Sequence, residues 1–184
     1  MEEYMPIIRT EGLTRTFSSS AGEVHALQDV TLAIRPQCLN LLSGKSGSGK
    51  TTLINLLGSL DRPTSGKIYF EDKELSALPE RERDKLRRTR IGFVFQSVAL
   101  MSAMTALENV EFALRVAGFP AAGRRERALE CLDYVGLAKR AAHLPQEMSG
   151  GEQQRVAIAR AIAHRPAVIF ADEPTAQLDS NMGL

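Results

Sequence analysis

The chain has 184 residues, 43% of them hydrophobic and 24% charged, and carries a net charge of +1. That length suits one domain, or one domain with a subdomain, and that composition buries a core beneath a solvated surface. The small net charge argues against a protein that meets nucleic acid over its whole surface, and no apolar run approaches the ~18 residues of a membrane span. The start, Met1-Glu2-Glu3-Tyr4, has neither the basic nor the apolar region of a signal peptide. Cys38 and Cys131 stand far apart with no C-x-x-C, and read as reduced, buried side chains of a cytosolic chain.

In chain order, Ile7-Ile8-Arg9-Thr10 reads as a short strand and Ser18 to Gly22 as a turn. Val24 to Leu27 and Val30 to Ile34 read as two further strands. Phe17 is either a ring that stacks on a base or an ordinary core phenylalanine. Leu39 to Leu42, broken only by Asn40, reads as a buried strand.

Gly44-Lys45-Ser46-Gly47-Ser48-Gly49-Lys50-Thr51 satisfies G-x-x-x-x-G-K-[ST], and Thr52 to Leu57 reads as the start of a helix. Three glycines let the backbone turn its N–H groups inward around phosphates, and the helix N-terminus adds partial positive charge. Lys50 supplies a full charge for the β- and γ-phosphates, and the Thr51 hydroxyl suits Mg²⁺.

Asp61 to Gly66 is a turn and Lys67 to Phe70 a strand. Pro79 to Arg90 carries six arginines and lysines interleaved with Glu80, Glu82 and Asp84, which favours a solvated helix over a nucleic-acid contact. Ile91 to Gln96 is a strand ending on a polar residue. Ligands of open α/β sheets sit at such carboxyl ends, so Gln96 is placed to reach a nucleotide or its metal. From Ser97 to about Ala163 the pattern is helical, with Leu107, Val110, Leu114 and Ala117 on one face and Ala128, Leu129, Cys131, Leu132 and Val135 on another. Ser149 is a good N-cap for a helix whose first residues, Gly150 and Gly151, leave its amides uncovered, either for an anion or as a plain capped start. Val168 to Ala171 is a central strand followed by Asp172 and Glu173. Adjacent carboxylates repel, and such a pair is costly unless it does chemistry. Asp172 fits a magnesium-side role and Glu173 a base that polarises water.

The order of phosphate loop, glutamine after a strand, Ser-Gly-Gly-Glu-Gln helix start and aliphatic strand with Asp-Glu-Pro resembles the ATP-binding-cassette (ABC) ATPases over nearly the whole chain. Ile91 to Gln96 and Thr105-Ala106-Leu107-Glu108-Asn109-Val110 look most like the lipoprotein-release and macrolide-export type. The resemblance implies an α/β P-loop fold with a RecA-like mixed sheet, an antiparallel β edge and an inserted helical subdomain. It divides the chain into an ATP-binding core of residues 1–96 and 160–184 and a helical signature subdomain of residues 97–159. It implies ATP bound by Phe17, Gly44, Lys45, Ser46, Gly47, Ser48, Gly49, Lys50, Thr51 and Thr52, and Mg²⁺ held by Thr51, Gln96 and Asp172. Glu173 and Gln96 would be catalytic. Ser149, Gly150, Gly151 and Glu152 would meet the ATP of a partner subunit, and Asp179 would lie at the dimer interface. The implied partners are a second cassette and an integral membrane permease, not nucleic acid, with the chain peripheral on the cytoplasmic face of the cell membrane.

The family carries a switch histidine beyond this point, whereas His25, His143 and His164 all precede Asp172, so a C-terminally truncated cassette is expected. Two alternatives follow: a nucleotide-binding module without turnover, and a nucleic-acid-associated cassette ATPase. The second would split the two motif halves with a long coiled coil, whereas here an insertion of ordinary length without sustained heptads joins them.

Overall fold

The computed structural model describes residues 5–20 and 22–174. They fall into two compact units that divide between Lys85 and Leu86.

The first unit contains β1 (Ile8–Ser19), β2 (Gly22–Ile34), α1 (Lys50–Leu57), β3 (Ser65–Phe70), β4 (Lys73–Glu74) and the first half of α2 (Glu80–Arg90). The strands form one antiparallel sheet in the order β2-β1-β3-β4. Val24 to Leu27 and Val30 to Ile34 belong to a single long strand rather than two. The hairpin runs from Ile8↔Ile34 to Ser19↔Gly22, and irregularities between Thr10 and Thr16 absorb the changes of register. Gly12 and Gly66 bring β1 and β3 unusually close: a Cβ on Gly66 would lie 2.3 Å from the Gly12 carbonyl oxygen. Ile8, Leu13, Leu56, Ile68 and Phe70 are the largest fully buried side chains among the described residues of this unit.

The expected strand at Leu39–Leu42 is absent. Residues 36–49 belong to no strand, and Leu39 is 97% exposed and Leu41 89%. A strand exists only when neighbours take its amides and carbonyls. Here Asn40 turns its side-chain amide to the Cys38 carbonyl (3.2 Å) and Gln37 adopts a left-handed φ of 56°, local choices that compete with a ladder. Cys38 is consequently exposed, contrary to expectation, while Cys131 is buried.

The second unit pairs β5 (Ile91–Val94) with β6 (Val168–Ala171) in parallel, in register from Ile91↔Val168 to Val94↔Ala171. Between them lie α3 (Ala106–Val116), α4 (Arg124–Tyr134) and α5 (Gly150–Ile162), with short 3₁₀ turns at 138–140 and 145–147. Leu107, Val110 and Leu114 of α3 meet Ala128, Cys131 and Leu132 of α4 and Val156 and Ala159 of α5 in one core. Leu129 falls outside it and is 37% exposed. The buried Asn109 ties down the loop before α3. Its amide nitrogen donates to the carbonyls of Met101, Met104 and Thr105, and its oxygen accepts from the Met101 amide. No described helix is long and apolar enough to cross a membrane.

Candidate nucleotide site

In the first unit, residues 44–48 form an exposed turn that feeds α1. Gly49 is the N-cap, at a φ of 87° that glycine alone adopts freely, and a Cβ there would lie 2.4 Å from the Ala26 carbonyl oxygen. Lys50, Thr51 and Thr52 make up the first turn of the helix. The Lys50 ammonium curls back over the turn and donates to the carbonyls of Gly44 (2.8 Å) and Lys45 (2.9 Å). The sequence reading of turn, lysine and helix start therefore holds as local structure, although the strand expected before it does not.

Phe17 lies near the end of β1 and is 41% exposed, so it is not a core phenylalanine. The Arg15 guanidinium sits 4.4 Å from its ring centroid. Arg15 is itself held by a two-pronged pair with Asp61, Nε to Oδ2 at 2.8 Å and Nη2 to Oδ1 at 3.1 Å. Neither Arg15 nor Asp61 stands out in the sequence as a functional residue. The arginine two residues before an aromatic on one strand is the visible signal, because i and i+2 share a face.

In the second unit, Gln96 and Glu173 each lie two residues past the end of a strand, β5 and β6 respectively. Parallel, in-register strands deliver both side chains to the same end, and the Gln96 amide donates to Glu173 Oε2 at 2.9 Å. The Asp172 amide continues the ladder by donating to the Val94 carbonyl. Glu173 itself has a left-handed φ of 48°, an uncommon backbone state for a non-glycine residue.

Ser149 caps α5 as expected. Its hydroxyl accepts from the Glu152 amide (3.2 Å) and the Glu152 carboxylate accepts from the Ser149 amide (2.8 Å), a reciprocal capping box. Arg140, unmarked by any motif, adds a second grip on Glu152 at 2.9 and 3.3 Å. Above all the Arg140 pairing, and then the Ser149 amide, pull the Glu152 pKa down to about 2. Gly150 and Gly151 open the helix beside this cap. Asp179 lies outside the described residues.

Comparison with known proteins converges on one family. The ABC transporter family model matches residues 27–176. The macrolide export ATP-binding/permease protein MacB of Rhodopseudomonas palustris is 49% identical over 96% of this chain, and the chain spans 27% of that protein's length. The lipoprotein-releasing system ATP-binding protein LolD of Bdellovibrio bacteriovorus is 43% identical, with 95% of this chain and 79% of LolD covered. Among solved structures, the ATP-binding cassette MJ0796 of Methanocaldococcus jannaschii, a dimer in a post-hydrolysis state bound to ADP and Pi, superposes with a TM-score of 0.88 at 43% identity, covering 95% of this chain and 77% of that one. With the family's motifs in place along the chain and these similarities over almost all of it, the protein belongs to the ABC transporter family as an ATP-binding cassette.

Proposed function

We propose that this chain is the ATP-hydrolysing subunit of an ABC transporter, which binds Mg-ATP, pairs with a second cassette and drives transport or extraction through a separate membrane permease. The observation that carries the catalytic part is the Gln96–Glu173 hydrogen bond at the shared end of β5 and β6. It gives an ionisable base and a neutral amide one common position, which suits orienting a water against a phosphoryl group.

Lys50 and the amides of residues 44–49 bind the phosphates, and Phe17 stacks on the base. Thr51, Gln96 and Asp172 would hold Mg²⁺. Their donor set of hydroxyl, amide and carboxylate oxygens suits that ion, and the hydrogen bond that occupies the Gln96 nitrogen leaves its oxygen to serve as a ligand. The ion supplies charge neutralisation on the phosphate oxygens. Glu173 takes the proton of the attacking water, and Gln96 orients Glu173. Ser149, Gly150, Gly151 and Glu152 present the α5 N-terminus to ATP held by a partner cassette, with Asp179 at the dimer interface. In this reading residues 1–96 and 160–184 are the ATP-binding core and residues 97–159 the signature subdomain, consistent with the packing of α3, α4 and α5 on one another. The chain works at the cytoplasmic face of the cell membrane, held there by its permease.

The test is phosphate release by this chain beside Glu173→Gln and Lys50→Ala. Loss of the base is expected to lower turnover about 10²- to 10⁴-fold while ATP stays bound, and loss of the lysine to abolish binding. Turnover at the parent rate in Glu173→Gln would remove Glu173 from the mechanism.

A further inference from the structure

Arg15, Phe17 and Asp61 form a stack that nothing in the proposed mechanism uses. The Arg15 guanidinium lies over one face of the Phe17 ring at 4.4 Å, within the range in which a cation and an aromatic face attract. The Asp61 carboxylate grips its Nε and Nη2 at 2.8 and 3.1 Å, a fork that fixes the guanidinium in place as well as in orientation. Asp61 is held in turn, because its backbone carbonyl accepts from Arg83 Nη2 and its side chain accepts from the Arg62 amide. The strand is pinned to the same turn: the Thr64 amide donates to the Thr14 carbonyl, and the Thr16 amide to the Thr64 hydroxyl. Phe17 nevertheless remains 41% exposed.

An exposed phenylalanine on a strand normally samples more than one rotamer, and a ligand that stacks on it must first stop that motion. Here the ring is already backed. The two side chains of the ion pair are 23% and 32% exposed, so it is partly desolvated. Because Asp61 offsets the charge, Arg15 acts through its flat face more than as a free cation for phosphate.

We propose that Arg15, clamped by Asp61, is a positioning residue for nucleobase binding, which holds Phe17 so that its uncovered face receives the purine. This rests on the reading of Phe17 as the base-stacking residue.

The experiment compares ADP with inorganic pyrophosphate by calorimetric titration of this chain, since the two ligands share a diphosphate and differ in the nucleoside. Arg15→Gln is expected to weaken ADP up to about tenfold, the upper end of what immobilising one side chain on binding costs, and to leave pyrophosphate unchanged within about twofold. Asp61→Asn, which keeps the side chain's shape and loses the ion pair, is expected to weaken ADP by a smaller factor with the same indifference to pyrophosphate. Thermal melts confirm that each variant is folded. Parent-like ADP binding in a folded Arg15→Gln overturns the proposal. So does tighter ADP binding, which would make the guanidinium a plug over the face the base needs. A parallel loss of pyrophosphate also overturns it, since Arg15 would then serve the phosphates or the fold. Phe17→Ala separates the two levels. If it weakens ADP while Arg15→Gln does not, the stacking role stands and the positioning role falls. If it leaves ADP unchanged, both fall.

Discussion

The Arg83 guanidinium meets an oxygen of its own unit on every nitrogen. Nε donates to the Ser59 hydroxyl, Nη2 to the carbonyls of Ser59 and Asp61, and Nη1 to the Glu80 carboxylate. Its side chain is 6% exposed, so these bonds are made largely out of water. Arg83→Leu removes all four of these bonds at a largely buried site and is expected to cost about 3 kcal/mol in urea unfolding, as removal of a buried, multiply bonded charge does. Glu152 makes a second prediction, through pH. Its folded pKa of about 2 lies below the ordinary 4.5, so its stabilising effect is present above about 4.5 and is lost as pH falls towards 2. The melting-temperature advantage of the parent over Glu152→Gln should therefore shrink across that interval and be constant from pH 6 to 8. At this scale the sequence was most legible where a motif is contiguous, as at Lys50 and Ser149. Arg83 was hidden among six basic residues of a mixed-sign helix, because its partner Ser59 lies 24 positions upstream and no local pattern marks it.

The elements of the second unit depend on small residues and caps at their contacts. Gly92 in β5 lies so close to α5 that a Cβ would fall 2.5 Å from the Ala161 carbonyl oxygen. Gly92→Ala must push strand and helix apart and is expected to cost about 1–3 kcal/mol by overpacking, seen as a lower denaturant midpoint. Asn109→Ala removes four hydrogen bonds from the loop before α3 and takes the side-chain partner from the Met101 amide and the Met104 carbonyl, and a loss of about 2 kcal/mol is expected. Faster hydrogen exchange at residues 101–105 would accompany it. The helices were legible because their apolar spacing repeats over several turns and Ser149 marks where α5 starts, whereas the capping box of Thr105 with Glu108 at the start of α3 emerged only in the structure. Strand extents were less so. Residues 39–42 have a strand's composition, yet whether such a run pairs is decided by neighbours far away in sequence, and the side chain of Asn40 already supplies a local alternative.

On the scale of the molecule, the proposed mechanism divides each ATP site between two chains, so a lone cassette holds half of what it needs. ATPase rate per chain should then rise with chain concentration at dilutions below the dimer's dissociation constant, and plateau above it. A rate per chain independent of concentration would count against the shared site. Helix α5, whose start carries Ser149, is fastened at both ends. Arg140 grips Glu152 in its first turn, while Arg127, from α4, donates to the carbonyls of Ala163 (2.9 Å) and Ile162 (3.3 Å) just where the helix stops. A rod secured at head and foot to one body has no slack at either end. A thrust delivered at the glycines beside Ser149 would turn the three helices together as one lever instead of being spent in fraying the end that receives it.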